Sequence, residues 1–119
     1  ADGYNVLTPS GGSVTIDLAN NTKLNHELTL TGASVTVNAP ISTGGTPAKG
    51  DKFYFRFIQD ATGSRDPNAL LTFPNSSGAF VAGVAGMIPF SATANTQTTV
   101  KFVYNGTKWA PELPGAATS

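Results

Sequence analysis

Apolar residues along this chain recur at every second position in short runs, the spacing of strands that bury one face. Val14, Ile16 and Leu18 share one side of 13–18, and Leu28 and Leu30 share one side of 28–31. Val35 and Val37 do the same over 35–37, ended by Pro40. The strongest signal runs from Lys52 to Gln59, where Phe53, Phe55 and Phe57 face one way and Tyr54, Arg56 and Ile58 the other. Short strands are also predicted over Ala69–Phe73 and over Thr98–Tyr104, the latter aligning Val100, Phe102 and Tyr104. Asn105-Gly106 then leads into Lys108-Trp109, a hairpin signal, because a type I′ turn needs positive φ at both central residues. Ala79–Pro89 is apolar but heavy in small residues and reads as a strand or bulged loop, with a further short strand at Met87–Ala92.

Breakers separate these runs. They are Thr8-Pro9-Ser10-Gly11-Gly12, Asn20-Asn21-Thr22, the loop Ser42–Gly50, the polar loop Asp60–Asn68 and Asn75-Ser76-Ser77-Gly78. About eight short strands with regular turns predict an all-β fold, an antiparallel β-sandwich or jelly roll, with a small barrel as the variant. Residues 1–12, dotted with Tyr4, Val6 and Leu7, read as an extended N-terminal arm; 13–110 form the β-sandwich domain, and 111–119 a proline-bearing tail. No helical pattern of useful length is present. No internal repeat is visible, which argues against a solenoid or a propeller.

Composition narrows the function classes. The 119 residues suit one domain. Charged residues make up 12%, about half of the usual share near 25%, and Thr, Ser, Asn and Gly take their place. Long amphipathic helices and coiled coils are thereby excluded. Seven basic residues balance seven acidic ones, so no field exists to release phosphate counterions, and nucleic acid is not an expected partner. The basic residues are scattered, which gives no electrostatic membrane anchor. The most apolar stretch, 79–90, is broken by Gly83, Gly86 and Pro89 and falls short of the roughly 20 residues that span a bilayer. Ala1-Asp2-Gly3-Tyr4 lacks the basic-then-apolar order of a signal peptide. A start at Ala fits either methionine removal or a trimmed chain. With no cysteine there is no disulfide framework, thiolate zinc site or cysteine nucleophile.

Candidate chemistry is sparse. His26 is the single histidine, so any Ser-His-Asp arrangement would need it as the shuttle base; with no nucleophile elbow nearby it reads as a surface or hydrogen-bonded structural residue. Asp60 and Asp66 flank a polar loop containing Arg65 and could form a carboxylate pair of the glycosidase kind. Turn and salt-bridge roles are the plainer reading. The same loop is a loose match to a calcium loop and fits no EF-hand pattern. Gly11-Gly12 and Gly44-Gly45 lack the following Lys-Ser/Thr of a phosphate cradle. Asn20, Asn75 and Asn105 each open a glycosylation-type triplet that turn chemistry alone explains. No catalytic residue, metal site or cofactor is expected. Tyr54, Arg56 and Ile58, on the face opposite the phenylalanines, either meet another protein or are covered by a second sheet or loop. Trp109 either stacks on sugar or caps the end of the core.

Leu28-Thr29-Leu30-Thr31-Gly32, the stretch Gly50–Arg65 with its Gln59-Asp60-Ala61-Thr62-Gly63, Leu71-Thr72-Phe73-Pro74, Ser91–Asn95, and Val100–Trp109 ending Tyr104-Asn105-Gly106-Thr107-Lys108-Trp109 follow one another in an order that resembles a module of bacteriophage virion surface proteins. The resemblance spans about residues 28–109. It implies a β-sandwich that commonly trimerises, with a structural or adhesive role and no catalytic residues to carry over. Tail fibres are usually long and repetitive, and this chain has no stalk or collagen-like segment. A capsid decoration or cement protein is therefore the expectation: a homotrimer on the outer surface of the virion, bound to the major capsid protein. A tail-fibre or receptor-binding domain that adheres to host polysaccharide is the alternative, through Tyr54, Trp109 or the Gly44-Gly45 loop. The expected interface residues are Tyr4, Val6, Leu7, Tyr54, Arg56, Ile58 and Trp109. From its composition, the arm would lie along neighbouring subunits by strand addition.

Overall fold

A computed structural model describes residues 4–18, 25–42, 47–88 and 91–112. Among the described residues, eight strands and two single-turn helices follow one another as β1 (Asn5–Val6), β2 (Ser13–Val14), β3 (Asn25–Leu30), β4 (Val35–Val37), β5 (Lys52–Gln59), α1 (Pro67–Leu70), β6 (Leu71–Thr72), α2 (Val84–Met87), β7 (Gln97–Tyr104) and β8 (Trp109–Pro111). They form two sheets, one of five strands ordered β1-β3-β5-β7-β8 and one of three ordered β2-β4-β6. The all-β expectation and the pairing of two sheets over one core are met.

The expected antiparallel arrangement is not what forms. In the smaller sheet both pairings are parallel. In the larger sheet β1–β3 and β3–β5 are parallel, and only β5–β7 and β7–β8 are antiparallel. The first six strands alternate between the sheets, so the chain winds through two parallel ladders as a short coil. Asn5 lies beside His26 and His26 beside Phe55, offsets of 21 and 29 residues. In the other ladder Ser13 lies beside Thr36 and Val35 beside Leu71, offsets of 23 and 36. Turns of such unequal length write no period into the sequence. A period-two pattern fixes which face of a strand is buried and leaves the direction of its neighbour undetermined.

Both sheets turn their inner faces to a single core. Phe53, Phe55, Phe80, Phe102, Trp109, Ile16 and Val37 are each fully buried within it. Phe53 stacks on Phe102 at 5.1 Å between ring centroids and meets Trp109 at 5.0 Å. Phe80 and Phe73 extend the pile on its other side. Trp109 thus takes the core-capping role. Burying such rings contributes about 2–3 kcal/mol each before cavity terms.

Local departures have local causes. The strand expected over 69–73 is shortened to two residues because Asp66 caps a helical turn, its carboxylate accepting the Asn68 amide at 2.9 Å, with Pro67 in the first turn. Within the small-residue run, Gly83 adopts φ +75 and opens α2, while Phe80 forms a single bridge to Trp109. Met87 ends that helix, so no strand forms at Met87–Ile88, and Ser91-Ala92 are irregular. Asn20-Asn21-Thr22, Gly44-Gly45 and the tail beyond Glu112 lie outside the described residues.

Candidate interaction face

The outer face of the five-stranded sheet gathers most of the expected interface residues. Alternation along β5 sends Tyr54, Arg56 and Ile58 outward, all half-buried, while the three phenylalanines point in. Register then builds a row across four strands: Val6 on β1, Glu27 on β3, Arg56 on β5 and Thr99 on β7. Arg56 Nε donates to Glu27 Oε2 at 3.0 Å, and Nη2 donates to the same oxygen. These side chains are only 13% and 15% exposed. The guanidinium also lies over the Tyr4 ring, 3.7 Å from its centroid, a cation–π contact. Glu27 is the member that the sequence reading missed. Its outward place on β3, opposite a half-buried arginine that requires a carboxylate, is the signal that would have found it.

Val6, at the end of the row, is 65% exposed, the largest exposure of any described large apolar side chain. Beside it opens a cleft of about 430 Å³ bounded by Val6, Leu7, Pro9, Leu28 and Val35, with threonine and serine hydroxyls at its margin. Leu7 itself is in the core, and its amide donates to the Glu27 carbonyl at 2.8 Å. Residues 5–7 of the arm therefore pair with their own sheet. Leu7 and Trp109 leave the set of surface residues for the same reason: each fills interior volume.

The sheet edges offer little backbone. β1 is two residues long. The free edge of β2 is closed by Ser10, which exchanges backbone hydrogen bonds with Ser13 at 2.9 and 3.3 Å. On the far side, Val81 and Ala79 pair with Trp109 of β8. Short and covered edges resist open-ended strand pairing.

The acidic loop is built as a turn. Asp60 Oδ1 accepts the amides of Thr62 and Gly63 at 3.1 and 3.0 Å, and Arg65 donates to both carboxylate oxygens at 3.3 and 3.0 Å. The Arg65 hydrogen bond, foremost, holds the Asp60 pKa below the ordinary carboxylate value, with partial burial acting the other way. Inside the loop, the buried Gln59 side chain exchanges two bonds with the Arg65 backbone at 2.6 and 2.9 Å. Asp66 is occupied as the helix cap. His26 is fully buried on the inner face, where its Nδ1 accepts from Asn5 Nδ2 at 3.2 Å and its ring meets Phe53 edge-on. The sequence left its place open between surface and hydrogen-bonded structure; the second is found. Among the described residues no three His, Asp or Glu side chains converge as metal ligands, and no helix is long and apolar enough to cross a membrane. Comparison with protein-family models, with curated proteins and with solved structures gave no match.

Proposed function

We propose that this chain is a non-enzymatic virion-surface protein, a decoration or cement protein. It binds the major capsid protein on the outside of the head as a homotrimer and stabilises the shell. The observation that carries this reading is the outer sheet face: a surface with Tyr54, Ile58 and Val6 around a paired Arg56–Glu27, beside a shallow apolar cleft. Aromatic, arginine and aliphatic side chains at the middle of a contact supply affinity, and a satisfied ion pair avoids leaving a charge stranded on docking. With short edges, attachment runs through this face. A protein that binds only the assembled lattice stabilises it by mass action, and a trimer matches threefold lattice positions.

The test is to challenge virions lacking this chain with heat and low salt beside complete virions. Earlier loss of the packaged genome is the expected outcome. Equal tolerance overturns the reading.

The winding of six strands through two parallel ladders favours a second reading, a tail-fibre or receptor-binding domain adhering to host polysaccharide, since coils of this kind extend by adding turns. Tyr54 would then be the sugar-facing aromatic, because Trp109 is buried. Copy number separates the two: a decoration protein follows the shell lattice, and a fibre follows the tail.

A further inference from the structure

We propose that the turn joining β7 to β8 is a site of spontaneous covalent modification, at which Asn105 loses its side-chain amide nitrogen through a succinimide. Asn105 and Gly106 are both exposed. Gly106 has φ +100 and no side chain to screen its nitrogen, and no described backbone oxygen accepts its N–H. The side-chain carbonyl of Asn105 is gripped by two donors: its Oδ1 accepts the Thr107 amide at 2.9 Å and the Lys108 amide at 2.8 Å. Two backbone N–H groups aimed at one carbonyl oxygen polarise it and stabilise the negative charge that arrives there when its carbon is attacked.

The step balances without a redox partner. The Gly106 nitrogen gives its proton to hydroxide and forms a bond to Asn105 Cγ, placing the charge on Oδ1. Collapse of that intermediate breaks the Cγ–Nδ2 bond as Nδ2 takes a proton from water, which releases ammonia and regenerates the hydroxide. Water then opens the succinimide at one of its two carbonyls. Opening at the main-chain carbonyl makes isoaspartate, which puts an extra methylene into the backbone. That product disrupts the Asn105 amide to Lys108 carbonyl bond of 3.0 Å and the neighbouring Tyr104–Trp109 pair. Opening at the side-chain carbonyl makes aspartate, which keeps both amide donors and adds a negative charge near the Lys49 chain that packs toward Gly106. The fold therefore retains the aspartate form.

The experiment incubates the purified chain at mildly alkaline pH, folded and, in parallel, unfolded in urea, and follows each asparagine by peptide mass spectrometry. A gain of about one dalton at Asn105, at least as fast in the folded chain as in the unfolded one and with aspartate exceeding isoaspartate, is expected. Asn75 and Asn95, each followed by a residue with a side chain, remain unchanged over the same interval, and Asn105→Gln removes the signal. Slower conversion in the folded chain than in urea would mean that the two amide donors protect Asn105, and overturns the proposal.

Discussion

The guanidinium of Arg56 rests 3.7 Å from the centre of the Tyr4 ring while its Nε and Nη2 donate to Glu27. One side chain on the middle strand of the larger sheet therefore fastens the N-terminal segment and satisfies the carboxylate of the strand between them. Removing it uncouples both. Arg56→Ala leaves a mostly buried carboxylate without its guanidinium and is expected to cost about 2–3 kcal/mol. Tyr4→Ala, which removes only the stacking partner, costs about 1 kcal/mol. Arg56→Lys falls between them, because an ammonium lacks the planar fork. Urea unfolding measures all three, and an Arg56→Ala variant as stable as the parent contradicts the assignment.

Val6 separates attachment from stability. Its side chain is largely in solvent, so Val6→Asp is expected to change stability by no more than about 1 kcal/mol. A charge beside the apolar cleft opposes desolvation on docking, and particle binding is expected to fall at least about tenfold, a difference of ~1.4 kcal/mol. Pelleting of the variant with stripped particles reads this directly; undiminished binding removes Val6 from the contact.

Two glycines with similar backbone angles are expected to respond differently to alanine. Gly12 has φ +80 and open space where a Cβ would go, so its cost is backbone strain alone, about 1 kcal/mol. Gly63 has φ +73, and a Cβ there would sit 2.8 Å from the Ala92 carbonyl oxygen and 2.8 Å from the Ala94 nitrogen. Backbone cannot step aside as a flexible side chain can, so Gly63→Ala is expected to cost about 3 kcal/mol or more. Comparable denaturation midpoints for the two variants would contradict the close contact between loops 60–66 and 91–96.

Acid sensitivity follows from Asp60. Its pKa is lowered in the folded chain, above all by the Arg65 hydrogen bond. A carboxyl lower in the folded than in the unfolded state favours folding in full above its ordinary value, and that contribution is lost as pH falls through the folded value. The window therefore starts near pH 4 and extends downward. Asp60→Asn is expected to flatten this acid limb of thermal stability while leaving its slope near neutrality unchanged. An unaltered acid limb would show that Asp60 titrates normally.

The parts of the fold legible in the sequence are those decided by side-chain alternation or by one turn. Lys52–Gln59 and Val35–Val37 occupy the expected spans, because the pattern reports which face meets the core. Asn105-Gly106 marks the expected reversal into β8, but as a four-residue loop with positive φ at Gly106 and not at Asn105, so the expected type I′ turn does not form. Ladder direction was not legible, since parallel and antiparallel neighbours ask for the same alternation. The outward triad of β5 was readable, but its partners Glu27 and Tyr4 depend on which strands become neighbours. Leu7 resembled a surface residue only because the arm's return onto β3 spans a turn of the coil. Asp66-Pro67 did carry a readable helix-start signal, overlooked beside the apolar run after it.

Counting this chain in purified particles by quantitative mass spectrometry probes the attachment role most directly. A copy number on the order of hundreds per particle, in fixed ratio to the shell protein and divisible by three, is the expected value. A chain missing from particles and sedimenting alone as a monomer would contradict it.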